Sequence, residues 1–213
     1  HEQIVDNTQA MSSGQWAIAE GCGWATPEKP LLEGENPFTF GSYATEATGN
    51  KAKGEMKYTP SLPEGEYAVY VSYQTLPNSS TKAQYTVVHK GQKTTFSVNQ
   101  KMGGGTWIYL GTFPFSKNSA EQGVYLSNLS GKQGVVVTAD AVKFGGGMGN
   151  IARKPTELPA YNVEAITSGY PRFTEGARYW LQWAGFADSI YSYTELKNDY
   201  TDDYMSRGRW VNA

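Results

Sequence analysis

From Tyr58 to Phe144 the chain alternates apolar and polar positions in short runs broken by Gly, Pro, Asn and Ser. Residues 66–75 read EYAVYVSYQT, which puts Tyr67, Val69, Val71 and Tyr73 on one face and Ala68, Tyr70, Ser72 and Gln74 on the other. A period of two is that of a half-buried strand. Pro60, Pro63 and Gly65 supply the turn before it. The same pattern predicts strands over 83–89, 94–98, 106–112, 123–127 and 135–144, and upstream over 3–6, 15–19, 38–43 and 54–58. Short strands at this spacing predict a mainly β protein, a jelly-roll-like antiparallel β-sandwich. Residues 20–37, rich in Gly and Pro, read as a long irregular loop.

The pattern changes at Gly145-Gly146-Gly147. Up to Pro171 there is little periodicity, as in a linker or an extended segment. Two helical patterns follow. Thr174 is placed to cap a helix carrying Ala177, Trp180, Leu181 and Ala184, with Gly185 ending it. A second begins near Asn198 or Thr201, with Asp202 and Asp203 favourable to the helix dipole, and runs through Tyr204, Gly208 and Val211. Two helices with large aromatics bury little surface alone, so the division expected is a sandwich over residues 1–147 and a linker with a helical piece of a neighbouring domain over 148–213.

A length of 213 residues accommodates a medium domain with a smaller companion. Charged residues make up only 18% and aromatics 14%, a balance that favours amphipathic rings over ion pairs. With a net charge of -2 and no Lys/Arg cluster interleaved with aromatics, nucleic acid is not an expected partner. No apolar run approaches the ~20 residues of a membrane helix, so no membrane span is expected. Cys22, the only cysteine, excludes an internal disulfide and a thiolate metal cage. The start at His1, without a signal peptide, fits a piece of a longer exported precursor or a processed native start.

Several ordered motifs carry a resemblance. They are Leu62-Pro63 before Gly65-Glu66-Tyr67-Ala68-Val69-Tyr70, then Asn78, Tyr85-Thr86-Val87 and Val98-Asn99-Gln100. Thr106-Trp107, Leu110-Gly111-Thr112-Phe113, Leu126-Ser127-Asn128 and Ala139-Asp140-Ala141-Val142 follow, and Asp6-Asn7 with Gly14-Gln15-Trp16 fits the opening. Over residues 3–146 the chain resembles the golvesin/xanthan-lyase carbohydrate-binding-like module. The tail, TSGYPRFTEGARYWLQWAGFADSIYS and NDYTDDYMSRGRWVNA, is similar to the segment after this module in exported bacterial proteins of the xanthan lyase and N-acetylmuramoyl-L-alanine amidase type. That second likeness implies a module inserted into a zinc amidase-like domain.

The residues themselves give no catalytic constellation. Zinc hydrolysis needs His and carboxylate ligands around an open position, and the chain's two histidines, His1 and His89, stand far apart in sequence. No catalytic residue, metal ligand or cofactor is expected in this chain, zinc belonging to a full-length parent if anywhere. Gly103-Gly104-Gly105 precedes a strand, so it reads as a turn and not as a phosphate cradle. Asn78-Ser79-Ser80 and Asn128-Leu129-Ser130 match a glycosylation sequon by spacing but read as turns. Asp140, among Ala139, Ala141 and Val142, is expected to be a buried acceptor pinning a loop.

Sugar recognition remains, in which aromatic faces stack on pyranose C–H groups while amides bind hydroxyls. The candidate platforms are Trp16, Trp24, Tyr85, Trp107 and Tyr109, with Asn78, Asn99 and Gln100 as polar partners. Trp107 and Tyr85 lie within alternating strands, so burial in the core is the competing reading for both. The function expected is a noncatalytic carbohydrate-binding-like module of a secreted, periplasmic or cell-surface bacterial enzyme. Its partners would be a glycan or peptidoglycan and, through the C-terminal helices, the rest of the parent polypeptide. The alternative is a structural insert and scaffold of a zinc amidase that binds no sugar itself.

Overall fold

The computed structural model describes residues 2–26, 31–32, 37–145, 153–154, 176–183, 188–194 and 198–213. The chain divides into two compact units, one of residues 1–25 with 38–145 and the other of residues 26–37 with 146–213.

The first unit is an antiparallel β-sandwich. One layer is a five-stranded sheet in the order β2-β6-β11-β8-β9, made of Met11–Ser13, Glu55–Tyr58, Gly123–Ser127, Ala83–His89 and Gln92–Val98. The other consists of a four-stranded sheet, β1-β13-β7-β10, and a three-stranded sheet, β12-β5-β3. Their strands are β1 Glu2–Asp6, β3 Ala17–Gly23, β5 Gly41–Ala47, β7 Gly65–Val71, β10 Ile108–Phe115, β12 Val136–Ala139 and β13 Ala141–Gly145.

Alternation decides what lies between the layers. Tyr67, Val69, Val71, Phe113, Phe115, Val142 and Phe144 point inward from one layer and meet Met56, Tyr58, Tyr85, Val87, Val124 and Leu126 from the other. Each such side chain contributes roughly 1.5–3 kcal/mol relative to exposure. The strand expected over 83–89 is β8, with burial alternating along its whole length. Its hairpin to β9 turns on Lys90 and Gly91, whose φ values of 40° and 77° give the two-residue turn that matches strand twist.

Three elements depart from the sequence pattern. The strand expected over 38–43 is a 3₁₀ turn at Pro37–Thr39 followed by β5, because inward alternation begins only at Ser42 and continues through Ala44 and Glu46. β10 carries a register shift between Tyr109 and Gly111. Gly111 takes a φ of 152°, and a side chain there would strike the Phe113 ring. The strand expected over 135–144 is two strands, β12 and β13, separated at Asp140.

That break is where the path changes partners. β12 pairs with β5, and β13 pairs with β7 and β1. The Asp140 carboxylate accepts from Trp24 N at 2.9 Å and from Ser72 Oγ at 2.6 Å. Its carbonyl accepts from Tyr58 Oη at 3.3 Å, and Ser72 N donates to Ala141 O at 2.8 Å. Four segments therefore meet at this one buried residue, two of them donating to its carboxylate, the role expected from sequence. Asp6 has a more local role, accepting from Thr8 N at 3.0 Å in a turn.

In the second unit, β4 (Leu31–Leu32) pairs in parallel with β14 (Arg153–Lys154). Three helices follow, α1 Ala177–Trp183, α2 Asp188–Tyr191 and α3 Asp199–Val211. Asn198 caps α3 by accepting from Thr201 N at 2.8 Å. Asp202 accepts from Thr194 N and Oγ1 and forms an ion pair with Arg178, while Asp203 holds Arg178 N at 3.0 Å. The acidic run thus ties the helices together. Thr174, Ala184 and Gly185, expected to bound and line the first helix, lie outside the described residues.

Burial pushes the Asp140 carboxyl up to about 7 from its ordinary 3.8, against the opposing pull of Ser72 and Trp24. A carboxyl whose pKa is raised by folding favours the folded state most at low pH, and that contribution disappears as pH rises through about 7. Asp140→Asn keeps an acceptor for Trp24 and lets Ser72 accept, but cannot titrate. Urea midpoints should show the stability of the wild type relative to Asp140→Asn falling as pH rises from 3.8 to about 7 and level beyond it. A rising difference over that window would contradict the assignment.

Candidate functional site

The sequence-predicted residues fall into three places. Tyr85 and Gln100 are 1% and 0% exposed. They face each other inside the sandwich: Gln100 Nε2 donates to Tyr85 Oη at 2.9 Å and to Thr138 O at 2.7 Å, and Gln100 Oε1 accepts from Thr138 N at 2.9 Å. These contacts satisfy backbone groups between the layers, and burial, the competing reading for Tyr85, is what the structure has.

Trp24, Trp107 and Tyr109 gather on the outer side of the four-stranded sheet. The register places Lys143, Tyr70 and Tyr109 in one row across β13, β7 and β10. Tyr70 and Tyr109 stack with centroids 5.3 Å apart, and Trp107 meets Trp24 at 5.9 Å and Phe38 at 5.3 Å. Lys143 Nζ lies 5.9 Å from the centre of the Trp107 ring and is paired with Glu2 at 2.9 Å. Trp24 and Trp107 are only 7% and 5% exposed, which makes this a second small core and not an open platform. Trp16 is half-buried, its indole N–H donating to Ser13 O at 2.9 Å.

Asn78 and Asn99 are exposed on loops at one end of the sandwich. Here the segments between β5 and β6, β7 and β8, β9 and β10, and β11 and β12 converge. They are joined by Gly49 N to Asn128 O at 3.2 Å, Val136 N to Asn78 O at 3.0 Å and Gln100 N to Ser80 O at 2.9 Å. A cleft of about 600 Å³ opens at this end, lined among others by Gln15, Glu46, Thr48, Asn50, Lys53 and Gln133. It is the candidate functional site.

Asn128 builds its wall. Its Oδ1 accepts from Lys53 N at 3.0 Å and Gly54 N at 3.2 Å, while its Nδ2 donates to Glu46 Oε1 at 3.3 Å and Ala47 O at 3.1 Å. All the amide's polar atoms are engaged and the side chain is buried, so this sequon is a structural turn. Glu46, 8% exposed, is held between Gly14 and Gly54, where any Cβ would collide with its carboxylate. Its Oε1 also accepts from Gln15 N at 3.3 Å, whereas Oε2 has no hydrogen-bond partner among the described residues.

Asn50, Gln133 and the two lysines of the cleft, Lys51 and Lys53, extend into solvent as donors around that wall. Amides and ammonium groups so placed can donate to hydroxyls and anions. The sequence reading missed it. The one available signal was Glu46 on the inward face of β5, a carboxylate where alternation calls for an apolar residue. No group of three or more His, Cys, Asp and Glu is placed to hold a metal among the described residues. His89 is buried against Phe113 at 4.8 Å, with Nε2 3.2 Å from Thr94 Oγ1, and burial holds its pKa below the ordinary value.

A two-layered antiparallel module with an open polar cleft among its end loops is the class that fold and site define. Residues 3–146 match the Golvesin C-terminal domain, and the chain belongs to that family. It is similar to a xanthan lyase of Bacillus sp. (strain GL1), 32% identical over 104 residues that make up 48% of this chain and 11% of that protein. Its fold is similar to part of a Paenibacillus xanthan lyase, with a TM-score of 0.52 and 25% identity over 67% of this chain and 13% of the other. The chain thus spans a small fraction of either relative's length.

Asn128→Asp would keep both backbone contacts of Oδ1 and set a second carboxylate against Glu46 Oε1 and Ala47 O. It should lower stability at pH 7 by about 2–4 kcal/mol, from like charge and a lost donor. Adding Glu46→Gln, which lets the new carboxylate accept from an amide, should recover part of that loss. Thermal melts showing no recovery in the double variant would refute this account of the wall.

Proposed function

We propose that this chain is a noncatalytic carbohydrate-binding module of a larger secreted, periplasmic or cell-surface bacterial protein that acts on a polysaccharide or the cell wall. The observation that carries it is the loop-end cleft, a concave surface lined by the exposed amides of Asn50 and Gln133 and the ammonium groups of Lys51 and Lys53, groups of the kind that bind sugar hydroxyls. Membership of the Golvesin C-terminal domain family and similarity to part of two xanthan lyases support the reading. Asn78 and Asn99 flank the same end of the sandwich and extend the recognition surface, and Trp16 directly follows the cleft residue Gln15. Residues 148–213 belong to a neighbouring domain of the parent. No helix is long and apolar enough to cross a membrane among the described residues.

A second reading is favoured by the helical unit, in which Trp180 and Trp210 lie 6.0 Å apart and remain 40% and 46% exposed. In it the sandwich is a structural insert and partial scaffold of a zinc N-acetylmuramoyl-L-alanine amidase, and the cleft binds no sugar. Retention of the whole chain on immobilised bacterial and plant glycans separates the two. We expect retention on at least one glycan, weakened roughly tenfold by Asn50→Ala with Gln133→Ala. Tyr85→Phe, which removes a buried hydroxyl far inside the core, should cost about 1 kcal/mol of stability and leave retention unchanged. Absence of retention across a broad panel, peptidoglycan included, would favour the scaffold.

A further inference from the structure

Lysines far apart in the chain are brought together by the topology. Residues 47–54, 72–82, 99–107 and 128–135, the four loops at the cleft end, carry Lys51, Lys53, Lys82, Lys101 and Lys132 and no Asp or Glu. All five side chains are exposed. Ion pairs among the described residues involve Lys90 and Lys143 within the sandwich and none of these five. Glu46, buried beneath the cleft, and Glu55, at the start of β6, flank the first of these loops in sequence, and Asp140 is buried against Ser72 of the second. An overall charge near neutral thus conceals a sandwich with one cationic end.

The backbone of four of these lysines is held in place by hydrogen bonds. Lys53 N donates to Asn128 Oδ1 at 3.0 Å, Lys82 N to Ser80 Oγ at 3.0 Å and Lys101 N to Asn99 Oδ1 at 3.1 Å, while Lys132 O accepts from Thr48 Oγ1. Two of the five, Lys51 and Lys53, line the cleft itself beside Asn50, Gln133 and Thr48. Ammonium groups next to exposed amides suit a ligand that presents both carboxylates and hydroxyls.

We propose that the cleft end takes an acidic polysaccharide, a chain whose sugars bear carboxylates, with lysines meeting the carboxylates and amides the hydroxyls. This rests on the glycan-binding reading above and adds selection by charge. The cations are all lysines, since residues 1–145 contain no arginine. Bidentate phosphate recognition draws on arginine, and single-stranded nucleic acid needs exposed rings on which bases stack. Trp107, the aromatic residue closing one of the four loops, is buried. These features favour a carboxylated glycan over a nucleic acid.

Titration of the whole chain with polygalacturonate, and with the same polymer fully methyl-esterified, isolates the charge while keeping the sugar backbone. Polygalacturonate should bind at least about tenfold more tightly than the ester, and more weakly as salt is raised. Lys51→Gln with Lys53→Gln should lose roughly tenfold for polygalacturonate, whereas Lys93→Gln with Lys117→Gln, an equal charge change away from the cleft, should lose little. Because the ester comparison uses the unaltered chain, it decides even where a variant folds poorly. Equal binding of acid and ester overturns charge selection and leaves glycan binding standing; binding of no polysaccharide overturns both. Duplex DNA bound as tightly as polygalacturonate, or equal losses from the two lysine pairs, overturns the proposal in favour of unspecific attraction of polyanions.

Discussion

The sandwich is organised around one buried carboxylate. Asp140 interrupts the strand path of residues 136–145 at the point where it leaves β5 for β7 and β1. A path that serves two sheets has backbone groups on both sides that cannot all be paired by ladders. The Asp140 side chain accepts from the chain after β3 and the chain after β7, and its carbonyl takes the hydroxyl of Tyr58 across the core. Burying a charge is costly unless donors surround it, and here the donors are the segments whose positions must be set. With that junction in place, β5 and β12 lie side by side, β5 ending and β12 beginning where the loops meet.

That end is built from distant sequence. Asn128 joins the loop after β11 to the loop before β6, and the bridges of Gly49 with Leu129 and Ser79 with Val136 bring in the chains after β5 and β7. The Asn128 amide is fully bonded on one side of this wall, while amides and ammonium groups face water on the other. A rigid floor with adaptable donors suits a ligand of repeated hydroxyls, because little entropy is lost in arranging the site.

Much of the fold was legible from alternation because alternation is what burial between two layers imposes. β8, β11 and β6 emerge almost residue for residue, and the Asp140 role follows from a lone acid in an apolar strand. What failed did so for physical reasons. The break between β12 and β13 is set by Trp24 and Ser72, more than sixty residues away, and leaves no local trace in the strand. β5 was misplaced because Phe38 and Phe40 look strand-like, although Phe38 packs against Trp107 and Phe40 is exposed. The site was harder still. Aromatic residues dominated the expectation, yet Tyr85, Trp24 and Trp107 serve packing. The groups that face the cleft are amides and lysines on separate loops, which no linear window shows together.

The central claim is that the loop end, and not the aromatic outer face, is the recognition surface. Backbone amide shifts of the isotope-labelled chain during titration with a bound glycan test it directly. The account predicts that perturbations concentrate in residues 47–54 and 128–135, with smaller ones near Asn78 and Asn99. Shifts confined to the neighbourhood of Trp24, Trp107 and Tyr109 would contradict it.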